Sequence, residues 1–392
     1  MAAPRTPGGE VHLEPPPEVP RLVPGGILMK LMPVVMVVAM VGMIALLITS
    51  GGGLNPASLI FPMMMLMSMV GMFAGGAGGR GSGQRKAEMN EDRKDYLRYL
   101  GQMRGRARDA GDEQRKALEW IHPDPDALWS MVRTRRMWER RTGDPDFCHV
   151  RVGRGHQRLA TRLVPPQTGP VDELEPIATV ALRRFVRAHS VVSELPIAVS
   201  VRGFAAIAMT GDEDTCRALA RAMLCQLATF HTPEDLIVAA VVGGPARGQW
   251  EWIKWLPHGQ NPHRSDAVGT ERLVAGSLAE LEEALSAELV DRQRFSRNAQ
   301  PVADQPQVVV IVDGGEVTGE ERILLEEGLA GVTLIDLSSC LGTLPARRGL
   351  RLVATPDGVG ARSASGVEKF ADPDAMTVAQ CEALAPASRL TG

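Results

Sequence analysis

Residues 210–215, which read Thr-Gly-Asp-Glu-Asp-Thr, lie where a nucleotide-binding sheet would hold phosphate. An apolar run at 204–209 precedes them and predicts a strand, and a helical pattern at 215–230 follows them. Such a junction binds phosphate because the helix N-terminus offers free N–H groups and the positive end of its dipole. A later predicted strand, 308–312, ends at Asp313, where a carboxylate would hold Mg²⁺. The layout therefore predicts a nucleotide site.

The residue types at this junction oppose phosphate binding. In the register of the motif GxxxxGK[ST], Asp214 replaces the lysine and Thr215 supplies the hydroxyl, and the sequence contains no Gly-Lys dipeptide. Asp212, Glu213 and Asp214 add three carboxylates that would repel phosphate. Two interpretations remain open. Either the acids cap the helix and complement its dipole, or a degenerate site retains weak nucleotide binding, for which the candidates are Gly211, Asp214, Thr215 and Asp313. No residue is predicted to be catalytic.

Other candidates for chemistry are weaker. His258 and His263 have no third metal ligand nearby in the sequence, so no metal site is predicted. The five cysteines are odd in number and form no CxxC pair, which favours reduced thiols in a cytosolic domain. A net charge of −3 argues against a nucleic-acid partner.

Trp250, Trp252 and Trp255 are half of the tryptophans in the chain. Clustered tryptophans pack in a core, or they anchor an interface between domains or proteins. The sequence leaves both interpretations open, and the three residues are candidates for partner binding.

Two uncharged apolar runs, residues 31–49 and 54–74, are separated by Ser-Gly-Gly-Gly. As helices they are each roughly 28–32 Å long, which matches the hydrocarbon core of a bilayer. The short link returns the second helix to the side where the first began, and basic residues flank the pair, so both ends are predicted to be cytoplasmic. The alternatives are a signal peptide or a buried core hairpin. No cleavage site separates the runs, so we expect a membrane hairpin at 27–74.

The hairpin is flanked by segments of different character. Residues 1–26 are rich in proline and glycine and are predicted to be extended or disordered unless they dock on a partner. A glycine-rich hinge follows the hairpin, and residues 86–121 then predict a long helix. Its apolar seam is thin, so the helix needs a partner, and the seam residues Tyr96, Leu100 and Met103 are candidates for binding it. An ordinary amphipathic surface helix is the alternative.

Beyond residue 123 the pattern alternates between short apolar strands and helical periods. The predicted strands are 147–152, 204–209, 236–242, 308–312, 333–337 and 350–354, and the predicted helices are 177–192, 215–230 and 278–295. Continuous apolar strands separated by helices indicate a parallel sheet that is covered on both faces.

Several motifs together resemble one family. They are the Met-rich hairpin, Asp95-Tyr-Leu-Arg-Tyr-Leu100, Thr134-Arg-Arg-Met-Trp-Glu-Arg140 and the Trp250–Trp255 cluster. The chain resembles the EccC family, the FtsK/SpoIIIE-like membrane ATPase components of actinobacterial type VII (ESX) secretion systems. The resemblance implies a membrane α-helical hairpin and a long helical stalk, then an α/β P-loop-NTPase-like domain with a mostly parallel sheet. The implied divisions are an extended segment at 1–26, a transmembrane hairpin at 27–74, a hinge and stalk at 75–122 and a degenerate FtsK-like ATPase domain at 123–392.

The resemblance also implies a function. Such a chain would be a core subunit that couples a cytoplasmic motor to export of small helical-hairpin (WXG-type) proteins. Its implied partners are EccB, EccD and EccE-like membrane subunits and the lipid bilayer, and the full motor is implied to be a hexamer. ATP and Mg are implied by the family only, because the lysine is missing here. The family's three motor domains are expected further along a longer chain or on a separate polypeptide. The alternatives are an FtsK-type DNA translocase and a non-enzymatic membrane scaffold.

Overall fold

The computed structural model describes residues 4–19, 27–49, 60, 63–64, 66–68, 80–267, 269–297 and 305–389. The chain divides into two compact units. The sheet unit comprises residues 1–8, 110–160 and 191–392, and the helical unit comprises residues 9–109 and 161–190. Each unit is described separately below.

The strands of the described residues are β1 Glu10–His12, β2 His149–Arg158, β3 Arg162–Val164, β4 Val191–Ser200, β5 Ala206–Gly211, β6 Leu236–Val242, β7 Gln260–Asp266, β8 Gly269–Arg272, β9 Val274–Ala275, β10 Gln307–Asp313, β11 Val332–Asp336, β12 Gly349–Thr355, β13 Gly358–Ser363 and β14 Gly366–Pro373. The α-helices are α1 Ile27–Thr49, α2 Arg80–Ile121, α3 Pro176–His189, α4 Glu213–Phe230, α5 Arg247–Trp250, α6 Leu278–Ala284, α7 Ser286–Leu289, α8 Arg322–Leu325, α9 Leu344–Arg348 and α10 Val378–Arg389.

The sheet unit is built on a ten-stranded mixed sheet with the order β4-β2-β14-β13-β12-β5-β11-β10-β6-β9. Neighbouring strands in the half β12-β5-β11-β10-β6-β9 pair in parallel. Neighbouring strands in the half β4-β2-β14-β13-β12 pair antiparallel. The predicted α/β class is confirmed. Five of the predicted strands correspond to the parallel strands β5, β6, β10, β11 and β12, whereas β9 was not predicted. The antiparallel half was not predicted beyond β2, because β14 is largely exposed, β13 is only half buried, and both lack the continuous apolar runs of β6 and β10.

Both faces of the central parallel strands β6, β10 and β11 are buried. In β10, Val309 and Ile311 belong to one hydrophobic cluster, whereas Val308, Val310 and Val312 belong to another. This alternation follows the period of two in a strand and places one core on each face. Helix α4 lies in the first core and is buried along nearly its whole length. It therefore positions the residues that follow β5.

Two helix predictions were wrong at their ends. The helix predicted at 278–295 breaks at Leu285, and α7 ends at Leu289, so the remainder is not helical. The buried Arg292 stabilises this irregular stretch because its guanidinium donates to the carbonyl oxygens of Ala330, Gly331 and Pro306. The helix predicted at 177–192 ends at His189, since the β-branched Val191 and Val192 begin β4.

The helical unit contains α3 and the part of α2 up to Asp109. The predicted helix 86–121 lies within α2, which begins at Arg80, inside the segment predicted to be a hinge. Glu175 caps α3: its carboxylate accepts from Ala178 N at 2.6 Å and from Arg93 Nη2 at 2.7 Å. These bonds lower the pKa of Glu175 even though its burial acts in the opposite direction.

The described part of the N-terminal segment is extended, and it packs on the chain itself. Strand β1 pairs in parallel with β3, and Leu13 is buried. Tyr96 Oη donates to the carbonyl oxygen of Glu14 at 2.9 Å, and Glu14 N donates to Tyr99 Oη at 3.0 Å. This part of residues 1–26 therefore needs no external partner to be held in place.

Helix α1 covers the first predicted apolar run, and several of its valines are exposed. Most of the second run, 54–74, lies outside the described residues. Within the part of the chain that the structure describes, no helix meets both the length and the hydropathy that a membrane span requires.

Candidate nucleotide-binding site

The connection between β5 and α4 is a single residue. β5 extends through Thr210 and Gly211, which pair with Val353 and Ala354 of β12, and α4 begins at Glu213. A phosphate loop needs several consecutive residues whose N–H groups turn toward the ligand. The prediction of a loop at 210–215 was wrong, because the strand continues to Gly211 and leaves only Asp212 as the link.

Gly211 is required by packing. Its φ of +124° is a conformation that other residues rarely adopt, and a Cβ there would approach Ala354 O to 2.2 Å. The glycine therefore permits close contact between β5 and β12. A role in cradling phosphate is not needed to explain it.

Asp212 is the N-cap of α4. Its Oδ2 accepts from Thr215 N at 2.9 Å and from Thr215 Oγ1 at 2.6 Å, and these two bonds lower its pKa. The Thr215 hydroxyl, which a metal-binding threonine would direct at Mg²⁺, is thus engaged by the cap. Glu213 pairs with Arg217, and Asp214 is exposed. The capping interpretation accounts for Asp212 in full.

Asp313 is buried at the end of β10, and both of its carboxylate oxygens are occupied. Arg217 Nε donates to Oδ2 at 2.8 Å, and Arg217 Nη2 donates to Oδ1 at 3.1 Å. Trp250 Nε1 also donates to Oδ2, at 2.8 Å. The bond to Asp313 is the largest factor that raises the pKa of Arg217. A guanidinium from α4 therefore neutralises the carboxylate that would otherwise hold a metal ion.

Strand β11 lies between β5 and β10 in the sheet, and it ends in a second buried carboxylate, that of Asp336. Asp336 Oδ1 accepts from Ser338 N at 3.0 Å, and Oδ2 accepts from Leu341 N at 3.1 Å. Ser338 Oγ in turn accepts a hydrogen bond from Gly314 N. The buried acids at this edge of the sheet are thus satisfied by the protein itself.

The tryptophan cluster divides into two kinds of residue. Trp250 and Trp252 are fully buried, and their indole N–H groups donate to Asp313 and to the carbonyl oxygen of Gln249. Trp255 is 44% exposed, with Lys254 Nζ 5.6 Å from the centre of its ring. Of the three candidates for partner binding, Trp255 alone has appreciable exposed surface.

The other candidates for partner binding, Tyr96, Leu100 and Met103, are buried within the helical unit. They pack with Leu13 and with the α3 residues Ala178, Leu182 and Phe185. Burial is the main cause that raises the pKa of Tyr96 to about 12. The apolar seam of α2 is therefore covered by its own chain, which the sequence did not reveal because the covering residues lie far away along it.

The histidines noted in the sequence are separated in the structure. His258 is buried, and its Nε2 lies 2.9 Å from the His231 carbonyl oxygen. His263 is exposed beside Glu288. In the described portion of the chain, no three His, Cys, Asp or Glu side chains are grouped so that they could hold a metal ion.

Sequence reasoning missed Arg217 and the role of Trp250. A charged residue on a largely buried helix is a signal for an internal polar partner; Arg221 of α4 has that property, and so does Arg217. Nothing local indicated that its partner is Asp313, which lies 96 positions away in the sequence.

The fold and the site define an α/β domain with the layout of a nucleotide-binding sheet. A single residue, Asp212, stands where a phosphate loop would lie, and the strand-end carboxylate Asp313 is paired with Arg217. No protein-family model matches the chain. The chain is 43% identical over 387 residues to the ESX secretion system protein EccC of Thermomonospora curvata, covering 97% of this chain and 29% of that protein. It is 43% identical over 280 residues to the ESX-4 secretion system protein EccC4 of Mycobacterium tuberculosis, covering 71% of this chain and 22% of that protein.

The chain is therefore homologous to the EccC proteins of ESX secretion systems, and the resemblance noted from the sequence is confirmed. It spans less than a third of the length of these two relatives. A solved structure of Thermomonospora curvata EccC (ATPases 2 and 3) in complex with a signal sequence peptide aligns with a TM-score of 0.38 and 14% identity. The alignment covers 67% of this chain and 51% of that one.

Proposed function

We propose that this chain is a core part of a type VII secretion ATPase in which the nucleotide site serves as a structural junction and does not hydrolyse ATP. The observation that carries the proposal is the carboxylate of Asp313, whose oxygens are taken by Arg217 and Trp250. The one-residue link at Asp212 supports it, because no loop is present to surround a phosphate.

The energetics favour the occupied state of Asp313. Mg²⁺ would have to displace a guanidinium from a buried carboxylate, and breaking a buried ion pair costs about 3–5 kcal/mol. Binding with a dissociation constant of 1 mM supplies only about 4 kcal/mol. Nucleotide binding at this site would therefore be weak, and without a lysine there is no group to offset the charge that develops on the transferring phosphate. On this proposal Gly211, Asp214, Thr215 and Asp313 retain no cofactor role.

The secretion role rests on the relatives, which are named as ESX secretion proteins. We propose that residues 27–74 form a membrane hairpin with both ends in the cytoplasm and that residues 75–122 connect it to the domain at 123–392. The apolar side chains exposed on α1 support this anchor. The proposed partners are EccB, EccD and EccE-like subunits. Motor domains would supply the energy for export of WXG-type substrates, within a hexameric machine.

A DNA-translocating function is less consistent with the observations. The relatives are secretion proteins, and the chain has a net charge of −3 without a basic run that would track phosphates. A gel-retardation assay at about 50 mM salt, where phosphate contacts are strongest, should show no shift of duplex DNA.

The decisive experiment is titration calorimetry of the full chain in detergent with Mg-ATP at millimolar concentration. We expect no saturable heat and no phosphate release above buffer. The variant Asp313→Ala is the matched control for any signal that does appear. Turnover that is present in the native chain and lost in this variant would overturn the proposal and identify a working ATPase.

A further inference from the structure

Two cysteines in the sheet unit lie side by side in its core. Cys225 of α4 and Cys381 of α10 are 156 positions apart in the sequence, yet their sulfur atoms are 3.6 Å apart. Both residues are fully buried, and they belong to the hydrophobic cluster that also contains Trp250 and Trp252. Nothing in the local sequence indicated this pair, because the two residues lie on separate helices.

The pair differs from the other cysteines in what its sulfur atoms contact. Cys216 Sγ lies 4.0 Å from a backbone carbonyl oxygen, and Cys340 Sγ lies 3.6 Å from Asp336 Oδ1. Cys225 and Cys381 instead meet sulfur to sulfur. An S–S bond is about 2.05 Å long, so the two atoms need to approach by roughly 1.5 Å, which rotation about the two χ1 bonds supplies.

Helix α10 covers the pair from outside and can leave it by local opening. Met376, just before the helix, accepts from Arg221 Nε at 2.7 Å and donates to the carbonyl oxygen of Ala218 at 3.1 Å. The helix itself contains Pro386, which has no N–H to donate and weakens the turn around it. One face of α10 is exposed, whereas α4 is buried along nearly its whole length. We therefore expect α10 to open more readily than α4.

Burial protects the two thiols while α10 is in place. Burial is the largest cause that raises the pKa of Cys225 well above the usual thiol range, and the neighbouring Cys381 thiol raises it further. The thiolate is the form that reacts with oxidants, so a buried thiol of this kind is inert. Oxidation of the pair should therefore follow the opening of α10.

We propose that Cys225 and Cys381 form an oxidative modification site, at which hydrogen peroxide converts the two thiols into a disulfide that joins α10 to α4. One thiolate attacks the O–O bond, which breaks to give a sulfenic acid and hydroxide, and the proton of that thiol joins the hydroxide as water. The second thiol attacks the sulfenic sulfur, the S–S bond forms, the S–O bond breaks and the oxygen leaves as a second water. The peroxide thus accepts two electrons and two protons.

The disulfide would prevent α10 from leaving α4. Because it would connect residues 156 positions apart, it would also constrain the unfolded chain strongly. A disulfide in a cytosolic protein is commonly transient and sensitive to the redox state, so the site would be reduced except under oxidising conditions. The inference is independent of whether the nucleotide site binds ATP.

The test uses the full chain in detergent with the change Cys340→Ser, because Cys340 is the cysteine that is not fully buried. After treatment with hydrogen peroxide, free thiols are blocked with N-ethylmaleimide, and the chain is digested without reductant and mapped by mass spectrometry. We expect one main disulfide, between Cys225 and Cys381, that dithiothreitol removes. Amide hydrogen exchange in α10 should slow by at least about tenfold on oxidation.

Cys216→Ser is the matched control, since Cys216 is buried on the same helix but its sulfur faces a carbonyl oxygen. It should leave the disulfide and the slower exchange intact, whereas Cys381→Ser should abolish both. The proposal is overturned if no disulfide joins Cys225 and Cys381 in the folded chain, or if it forms only after unfolding in urea. Exchange in α10 that slows equally in Cys381→Ser would also overturn it.

Discussion

Arg217 links three residues that are far apart in the sequence. It pairs with Glu213 on its own helix and with Asp313 at the end of β10, and Trp250 shares the same carboxylate. The Arg217 and Asp313 side chains are 15% and 6% exposed, so the pair is largely shielded from water. Removing only one partner would leave a buried charge without compensation.

Arg217→Ala should therefore lower the free energy of unfolding by about 3 kcal/mol, measured by urea denaturation. The double variant Arg217→Ala, Asp313→Asn should recover part of that loss, because the uncompensated charge is gone. Arg247→Ala, which breaks an exposed pair with Glu251, is the control and should change stability by less than about 0.5 kcal/mol. Equal losses for Arg217→Ala and Arg247→Ala would contradict the importance of this pair.

Three buried histidines make the stability of the sheet unit sensitive to acid. Burial is the largest cause that lowers the pKa of His122 and His231 to about 3 and that of His258 to about 4. His231 Nε2 accepts a hydrogen bond from Cys148 N, and protonation of that nitrogen would abolish the bond. The folded state therefore excludes protons that the unfolded chain binds below about pH 6.5.

The stability that the neutral histidines contribute should be fully present above pH 6.5. It should be lost from pH 6.5 down to about pH 4 for His258 and about pH 3 for His122 and His231, and each histidine should lower the free energy of unfolding by up to about 1.4 kcal/mol per pH unit. Asp374 acts in the opposite direction below pH 6, because its folded pKa is raised. Urea denaturation across this range is the measurement. His231→Gln should reduce the slope, whereas His263→Gln, at an exposed position, should not. A flat profile between pH 6.5 and 4.5 would be evidence against this account.

Among the elements, helix α2 depends on contacts from segments far before it and far after it in the sequence. Leu100 is 4% exposed and packs with Leu13 before it and with Leu182 and Phe185 of α3 after it. The helix was predicted to need a partner, and within the helical unit its seam is covered by the chain itself. The buried position of Leu100 therefore favours contacts within the chain over direct contact with an external subunit.

Leu100→Asp should destabilise the helical unit by about 3–5 kcal/mol, because it buries a charge and removes a packed side chain. Loss of amide protection in α2 and α3, followed by hydrogen exchange, is the measurement. Leu97→Asp is the control on the same helix, since Leu97 is 41% exposed, and it should change stability by less than about 0.5 kcal/mol.

The same two variants separate internal packing from partner docking. If a partner subunit binds the exposed face of α2, Leu97→Asp should release that partner on native gels while the helical unit stays folded. Dissociation by Leu100→Asp alone would instead report unfolding of the unit.

For the whole molecule, the proposed hairpin makes a topological prediction. A single cysteine at Ser50 should react with a membrane-impermeant thiol reagent added outside the cell, and one at Arg85 should not, because the short link forces both ends to the same side. The native cysteines are buried except Cys340, so the single cysteines are introduced into a Cys340→Ser chain to prevent labelling at that position. Labelling of the Arg85 position from outside would reverse the assignment.

The parallel half of the sheet was predictable because each of its central strands is apolar on both faces. Leu236–Val242 and the valine-rich β10 carry that pattern without interruption, and Asp313 follows at the strand end where it was expected. β4, β13 and β14 were not predictable in this way. Polar or exposed residues interrupt all three strands, and Pro196 in β4 and the glycines of β13 break the apolar pattern further, so none gives a continuous signal. Their pairing depends on partners that lie elsewhere in the chain.

By itself, the sequence determined what the nucleotide site lacks. The absent lysine and the acids at Asp212–Asp214 are properties of residue type and spacing, and they already opposed phosphate chemistry. Only the tertiary structure decided what replaces that chemistry. The length of the β5–α4 link was set by pairing with β12, and Asp313 met Arg217 and Trp250 because strands and helices distant in sequence converge at one edge of the sheet. Non-local contacts of this kind have no signature in local pattern, since either side chain alone is also compatible with an exposed position.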